Sequence, residues 1–162
     1  MIRRPLAPRY TIADAAPPSR LDAARTLFRE YADGLGVDLG FQGFDEELAT
    51  LPGRYSPPDG RLFVALDGAS VVGCIALRRF DPSTGELKRL YVRPAARGHG
   101  IGGALASKAI EAAREIGYRR LVLDTLAQMA EARDLYRSFG FREIAPYYAN
   151  PLPGTTYMEL EL

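Results

Sequence analysis

The sequence has one cysteine and one histidine in 162 residues. A lone Cys74 excludes an internal disulfide and any cysteine-built metal site. With only His99 beside it, a metal would need carboxylates at ligand spacing, and the chain shows none, so no metal is expected. No apolar run approaches the roughly 20 residues that cross a bilayer, so a membrane protein is not expected either. An excess of one charge is also lacking. The 21 basic and 20 acidic residues leave a formal net charge of +1, and the basic ones form no single patch, which removes the electrostatic reason to expect nucleic acid. "MIRRPLAPRY" has charge but neither the apolar core nor the cleavage site of a signal peptide, so the expected location is cytoplasmic. What remains, 47% hydrophobic and 25% charged, suits one globular domain over 1–162.

Apolar periodicity orders that domain. A short strand at Tyr10–Ala13 precedes an amphipathic helix in "PPSRLDAARTLFREYADGLG", where Leu21, Ala24, Leu27, Phe28 and Tyr31 recur at helical spacing and Gly34 or Gly36 ends it. A shorter helix is expected at "FDEELATL" and a loop at "GRYSPPDG". "RLFVALDGASVVGCIALRRF" reads as a hairpin turning at Asp67–Gly68, followed by a third strand at "GELKRLYV". Beyond it the pattern predicts a helix at Gly100–Gly117, a strand at "RRLVLDT", a helix over 128–139, and strands at "FREIAPYY" and "TTYMELEL". Antiparallel strands, one strand–helix–strand unit, then a helix and a hairpin give an α+β fold with a mixed, mostly antiparallel sheet flanked by helices.

"RPAARGHGIGGAL" places four glycines within six positions at the start of the second long helix. Bare backbone at a helix N-terminus aims several N–H groups at one point, where the helix dipole also favours an anion; a phosphate is the natural ligand. Gly98, Gly100 and Gly103 fit the dinucleotide pattern G-x-G-x-x-G, with Asp124 about 20 residues on as a ribose-binding acid. In that fold, however, the strand runs directly into the glycines, whereas "RPAAR" separates them here, and too few strand–helix units follow. A P-loop fails because no Lys-Ser/Thr follows the glycines.

Read instead as R-x-x-G-x-G at Arg97, Gly100 and Gly102, "ELKRLYVRPAARGHGIGGAL" resembles the coenzyme A-binding motif of the GNAT N-acetyltransferases, and "LYRSFGF" resembles a later motif of the same superfamily. The resemblance implies an acetyl-coenzyme A cosubstrate, an amine acceptor and a GNAT-like fold. It divides the chain into an acceptor-side flank at 1–60, a coenzyme core at 71–140 and a C-terminal hairpin at 141–162. Arg97, Gly98, His99, Gly100, Ile101, Gly102 and Gly103 are then expected around the pyrophosphate, with the glycines permitting close approach. Leu90, Tyr91 and Val92 are expected to offer backbone groups to the pantetheine arm, the Leu90 N–H serving as oxyanion donor. The family's asparagine seven residues before the tyrosine is Met129 here, so that contact is not carried over.

Amine attack on a thioester needs an oxyanion donor, a base for the amine proton and an acid for the departing thiolate. Tyr136 in "LYRSFGF" matches the family's acid; otherwise it is a half-buried ring. Glu86 matches a glutamate that some members use as base. Strand alternation puts residues 86, 88 and 90 on one face, while the plainer role is a carboxylate paired with Lys88 or Arg89. Cys74, in an apolar strand, reads as a core thiol. Asp33, Asp38, Asp45, Glu46 and Glu47 occupy a stretch without Lys or Arg; as an acidic rim they favour a cationic acceptor, and otherwise they are a solvated face. Tyr147, Tyr148 and Asn150 are expected over the acceptor or at the sheet's end. A domain that binds acyl-coenzyme A without turning it over is the alternative from another class. A homodimer through the C-terminal strands is consistent with the family.

Overall fold

The structure is a computed structural model that describes residues 3–162. Its sheet grows from the hairpin of β2 (Arg61–Asp67) and β3 (Ser70–Asp81). Asp67 pairs with Ser70, so the turn is Gly68–Ala69, one residue later than the sequence suggests, with Gly68 taking the positive φ that such a turn requires. β1 (Tyr10–Asp14) pairs antiparallel with β2, and β4 (Thr84–Val92) with β3. α3 (Ile101–Ile116) then crosses over to β5 (Arg120–Thr125), which lies parallel to β4.

After α4 (Ala130–Ser138) come β6 (Arg142–Ile144) and β7 (Thr156–Glu161). The strand order is β1-β2-β3-β4-β5-β7-β6, and only β4–β5 pair in parallel among the described residues, as the α+β reading requires. "FREIAPYY" yields just three residues of strand. Pro146 lacks an N–H, and the two tyrosines after it leave the sheet to meet buried carboxylates. Because β7 is enclosed by β5 and β6, the C-terminal hairpin presents only the short β6 edge to any partner.

Alternation along β3 builds two cores. Ile75 and Leu77 face α3, meeting Ile101, Leu105 and Ala109; Cys74 and Ala76 face α1 (Pro18–Leu35), meeting Ala24, Leu27 and Phe28. Full burial of Leu27 and Phe28 stabilises by about 1.5–3 kcal/mol each, and it holds α1 and the short α2 (Phe44–Thr50) over one face of the sheet. Helix α1 ends as expected at Gly36 in the left-handed conformation. Cys74 is fully buried, its thiol donating to the Arg89 carbonyl, and burial pushes its pKa up: a core thiol. Among the described residues no helix is long and apolar enough to cross a membrane, and no His/Cys/Asp/Glu group could hold a metal. Met1 and Ile2, where the signal-peptide reading begins, lie outside the described residues.

Candidate active site

A break in the sheet makes the site. β4 and β5 pair only from Thr84–Glu86 against Arg120–Val122 and then separate. At the same level β4 bulges against β3. The register passes from Cys74–Tyr91 to Ala76–Lys88, which leaves Arg89 and Leu90 as the β4 residues without a partner in either neighbouring strand. Arg89 has φ of 62°, the single non-glycine residue with positive φ among those described. Its guanidinium holds this strained conformation in place by donating to both oxygens of Glu47 on α2, at 2.8 and 3.1 Å. Tyr55 donates to the same carboxylate at 2.8 Å.

The bulge corrects one expectation. Below it Glu86 and Lys88 share a face; above it alternation is reset, so Leu90 and Val92 pack into the α3 core while Tyr91 joins the α1 core. The Leu90 side chain therefore does not share a face with Glu86, because the extra residue reverses the pattern.

Where the strands part lies a narrow cleft lined by Lys88, Leu90, Asp124, Met129 and Tyr136 with Tyr31 and Gln42. α4 supplies Tyr136, a buried residue whose ring leans on Phe141. Burial, with smaller contributions from Tyr31 and Asp124, pushes the phenol's pKa upward, and the hydroxyl has no hydrogen-bond partner among the described residues. Met129 stands at the head of α4, its sulfur accepting from the Leu126 N–H.

Glu86 has little solvent exposure and no free carboxylate oxygen. Arg78 Nε donates to it at 2.8 Å and the Tyr147 hydroxyl at 2.6 Å, while Lys88 Nζ lies 4.0 Å away. Burial alone raises a carboxyl pKa; here the charges of Lys88 and Arg78 and the Tyr147 hydrogen bond outweigh it and hold Glu86 below the ordinary carboxylate range. Lys88 also faces Asp124 at 3.8 Å, and its burial drives its own pKa down against the pull of both acids. Asp124 in turn accepts from Tyr148 and from Asn150. Tyr147, Tyr148 and Asn150, expected over the acceptor or at the sheet's end, bond these two carboxylates, and of the two partners expected for Glu86 it is Lys88, not Arg89, that stands beside it. That Lys88 also reaches Asp124 is a tertiary contact between strands that the spacing of Glu86 and Lys88 does not mark.

At the glycine turn, Gly98 and Gly100 have positive φ and Gly100 caps α3. Gly100 does not face open space: a Cβ there would lie 2.3 Å from the Pro5 carbonyl oxygen, so its bareness admits residues 3–7, which cross the turn. Gly102 and Gly103 sit in the first turn of α3 with Leu135 as neighbour, and Ile101 is buried in the core. Arg97 folds back to the Val92 carbonyl, 2.9 Å away. His99 is exposed, its ring 5.4 Å from that of Tyr10.

The acidic stretch does not form one rim. Glu47 is taken up by Arg89 and Tyr55, while Asp33, Asp38 and Asp45 are exposed. A cavity of about 390 Å³ is lined by Glu46, Glu47, Arg54, Tyr55 and Arg78, so both charges are present, and Gln42 lines both it and the cleft.

A largely antiparallel sheet excludes the dinucleotide fold, whose strands run parallel. The family model described as "Acetyltransferase (GNAT) family" matches residues 22–141. An uncharacterized N-acetyltransferase of Schizosaccharomyces pombe is 44% identical over 147 residues, covering 90% of each chain. A crystal structure of an acetyltransferase from Streptococcus agalactiae superposes with a TM-score of 0.79 at 23% identity, covering 96% of this chain and all of that one. The structure of an acetyltransferase from Salmonella typhimurium with its cofactor acetyl-CoA gives 0.71 at 25% identity, covering 94% of each. With this fold, this parted pair of strands and these relatives, the chain belongs to the GNAT family of N-acetyltransferases.

Proposed function

We propose that the protein transfers an acetyl group from acetyl-coenzyme A directly to an amine. The carrying observation is the cleft where β4 leaves β5: it brings the Leu90 backbone, paired with neither neighbouring strand, beside the Tyr136 hydroxyl, which has no hydrogen-bond partner among the described residues. Pantetheine pairs with the open edge of β4, and the Leu90 N–H holds the thioester oxygen as negative charge develops on it. The pyrophosphate rests on the N–H groups of Gly98 to Gly103. The Salmonella relative's bound acetyl-CoA supports the choice of cosubstrate.

Tyr136 gives its proton to the sulfur as the carbon–sulfur bond breaks. A phenol with raised pKa is a weak acid, but the thiolate leaves into the same dry cleft, which raises the sulfur's own affinity for a proton. Glu86, ionised throughout the neutral range, takes the proton lost by the attacking amine through a water that displaces the Tyr147 hydroxyl from one carboxylate oxygen, while Arg78 keeps the other. Lys88 keeps its charge and that of Asp124 from repelling one another.

An amine that also carries a carboxylate fits the flanking cavity better than a polyamine, since Arg54 there has no carboxylate partner among the described residues while Glu47 is taken up by Arg89. Coenzyme A release is the test, measured with acetyl-CoA and a panel of amino acids, diamines and plain monoamines. Turnover with amino acids above diamines supports the reading. Binding of acetyl-CoA with no release on any amine would leave a non-catalytic acyl-coenzyme A sensor.

A further inference from the structure

Residues 3–7 lie over the glycine turn, held by specific contacts. The Ala7 N–H donates to the His99 carbonyl at 3.0 Å, Arg4 Nη1 to the Gly98 carbonyl at 3.1 Å, and the Pro5 carbonyl fills the space left bare at Gly100. Arg3 reaches further. Its Nη1 donates to the Ser138 carbonyl at 2.6 Å, and its guanidinium sits 4.0 Å above the Phe139 ring. Between this arm and α3 is a cavity of about 460 Å³, walled by Arg3, Arg4 and Phe139 on one side and Gly103, Ala104 and Ser107 on the other. No acidic side chain lines it, and neither arginine has a carboxylate partner among the described residues. The cavity shares no lining residue with the cleft at Tyr136.

We infer that this arm is part of the coenzyme site and that Arg3 and Arg4 read the 3′-phosphate of the adenosine end. The inference rests on the proposed coenzyme reading. A coenzyme with its acyl arm in the cleft and its pyrophosphate on the turn must put its nucleotide beyond the turn, where the cavity opens. Two arginines free of carboxylates suit a phosphomonoester, which guanidinium groups bind in bidentate fashion, and the Phe139 ring under Arg3 holds one of them in place. The Ser107 hydroxyl offers a further donor.

Removing the 3′-phosphate from the ligand and the arginines from the protein tests this directly. Calorimetric titration compares coenzyme A with 3′-dephospho-coenzyme A on the wild type and on the double variant Arg3→Ala, Arg4→Ala. The wild type should favour coenzyme A by at least tenfold, on the order of the loss of one charge-assisted hydrogen bond. In the double variant that preference should fall to near one, with affinity for the dephospho ligand unchanged. Arg3→Gln, Arg4→Gln, which keeps more of the side-chain packing, should give the same ratio. Equal preference in wild type and variants, or none in the wild type, overturns the inference while leaving the coenzyme reading intact. Failure of the wild type to bind either ligand overturns both.

Discussion

Glu47→Gln is the substitution whose effect follows most directly from the geometry. Arg89 is a buried cation, 1% exposed at its side chain, and Glu47, 11% exposed, supplies its carboxylate. Removing one partner of a buried pair costs about 3–5 kcal/mol, because the other charge stays buried without compensation. Glutamine keeps an oxygen for Arg89 or Tyr55, so the low end, about 3 kcal/mol, applies. In a chain of this size 1 kcal/mol corresponds to roughly 2–4 °C, so the melting temperature should drop by about 6–12 °C. Circular dichroism melts with urea titration at 25 °C provide the measurement, and acetyl transfer on the folded variant provides a second one. Since Arg89 carries the positive φ that sets Leu90 at the cleft, kcat should fall along with stability. A loss under 1 kcal/mol would refute the reasoning, showing that water reaches Arg89 and that the bulge holds without its partner.

Other expectations follow from single contacts. Tyr136→Phe keeps the ring against Phe141 but removes the transferable proton, so kcat should fall by roughly 10²-fold with coenzyme affinity and melting temperature little changed; normal turnover would return Tyr136 to a packing role. Glu86, Glu30 and Glu159 all have pKa values held low, Glu86 against its burial by Lys88 and Arg78, Glu30 by Arg93 and Glu159 by Arg142. With folded values below the unfolded one of about 4.3, their contribution is complete above that pH and is lost as pH falls through the folded values. Melting temperature should therefore be flat from pH 7 to about 5 and decline below, less steeply in Glu86→Gln. Gly100→Ala forces a positive φ on alanine, at about 1–3 kcal/mol, and drives a Cβ into Pro5. The Ala7 amide should lose its protection from hydrogen exchange while the β3 amides keep theirs; unchanged protection at Ala7 would mean that the arm does not depend on the bare turn.

Local patterns carried most of the fold. Helix α3 announced itself by apolar spacing and a glycine at each end, and the β2–β3 hairpin by its turn residues, because both are set by neighbours in sequence. The bulge at Arg89 was hidden, since what holds it is Glu47, 42 residues away, and nothing in "ELKRLYV" marks the break in alternation. The same distance hid the division of the acidic stretch, where Glu47 turns inward and its neighbours do not. Tyr136 was readable only as part of a motif; the cleft it lines depends on where β4 and β5 part. Gly100 was read as room for a ligand, but its nearest neighbour is Pro5, a tertiary contact that local sequence does not encode.

The enclosure of β7 orders the chain's assembly in time. β5 and β6 have no pairing with one another; until residues 156–161 arrive β5 has only its short parallel pairing with β4 and β6 has no partner strand, although α3 ends 40 residues earlier. Tyr157 donates to the Tyr148 carbonyl and stacks edge-on against Tyr147, so the two tyrosines that grip Asp124 and Glu86 are set by that last strand. A nascent chain on the ribosome can thus form α3 while its carboxylates are still ungripped, and the hold on Asp124 and Glu86 arrives late. Pulse-labelled chains stalled before residue 156 should shield α3 from protease and leave the segment around Tyr147 open to cleavage.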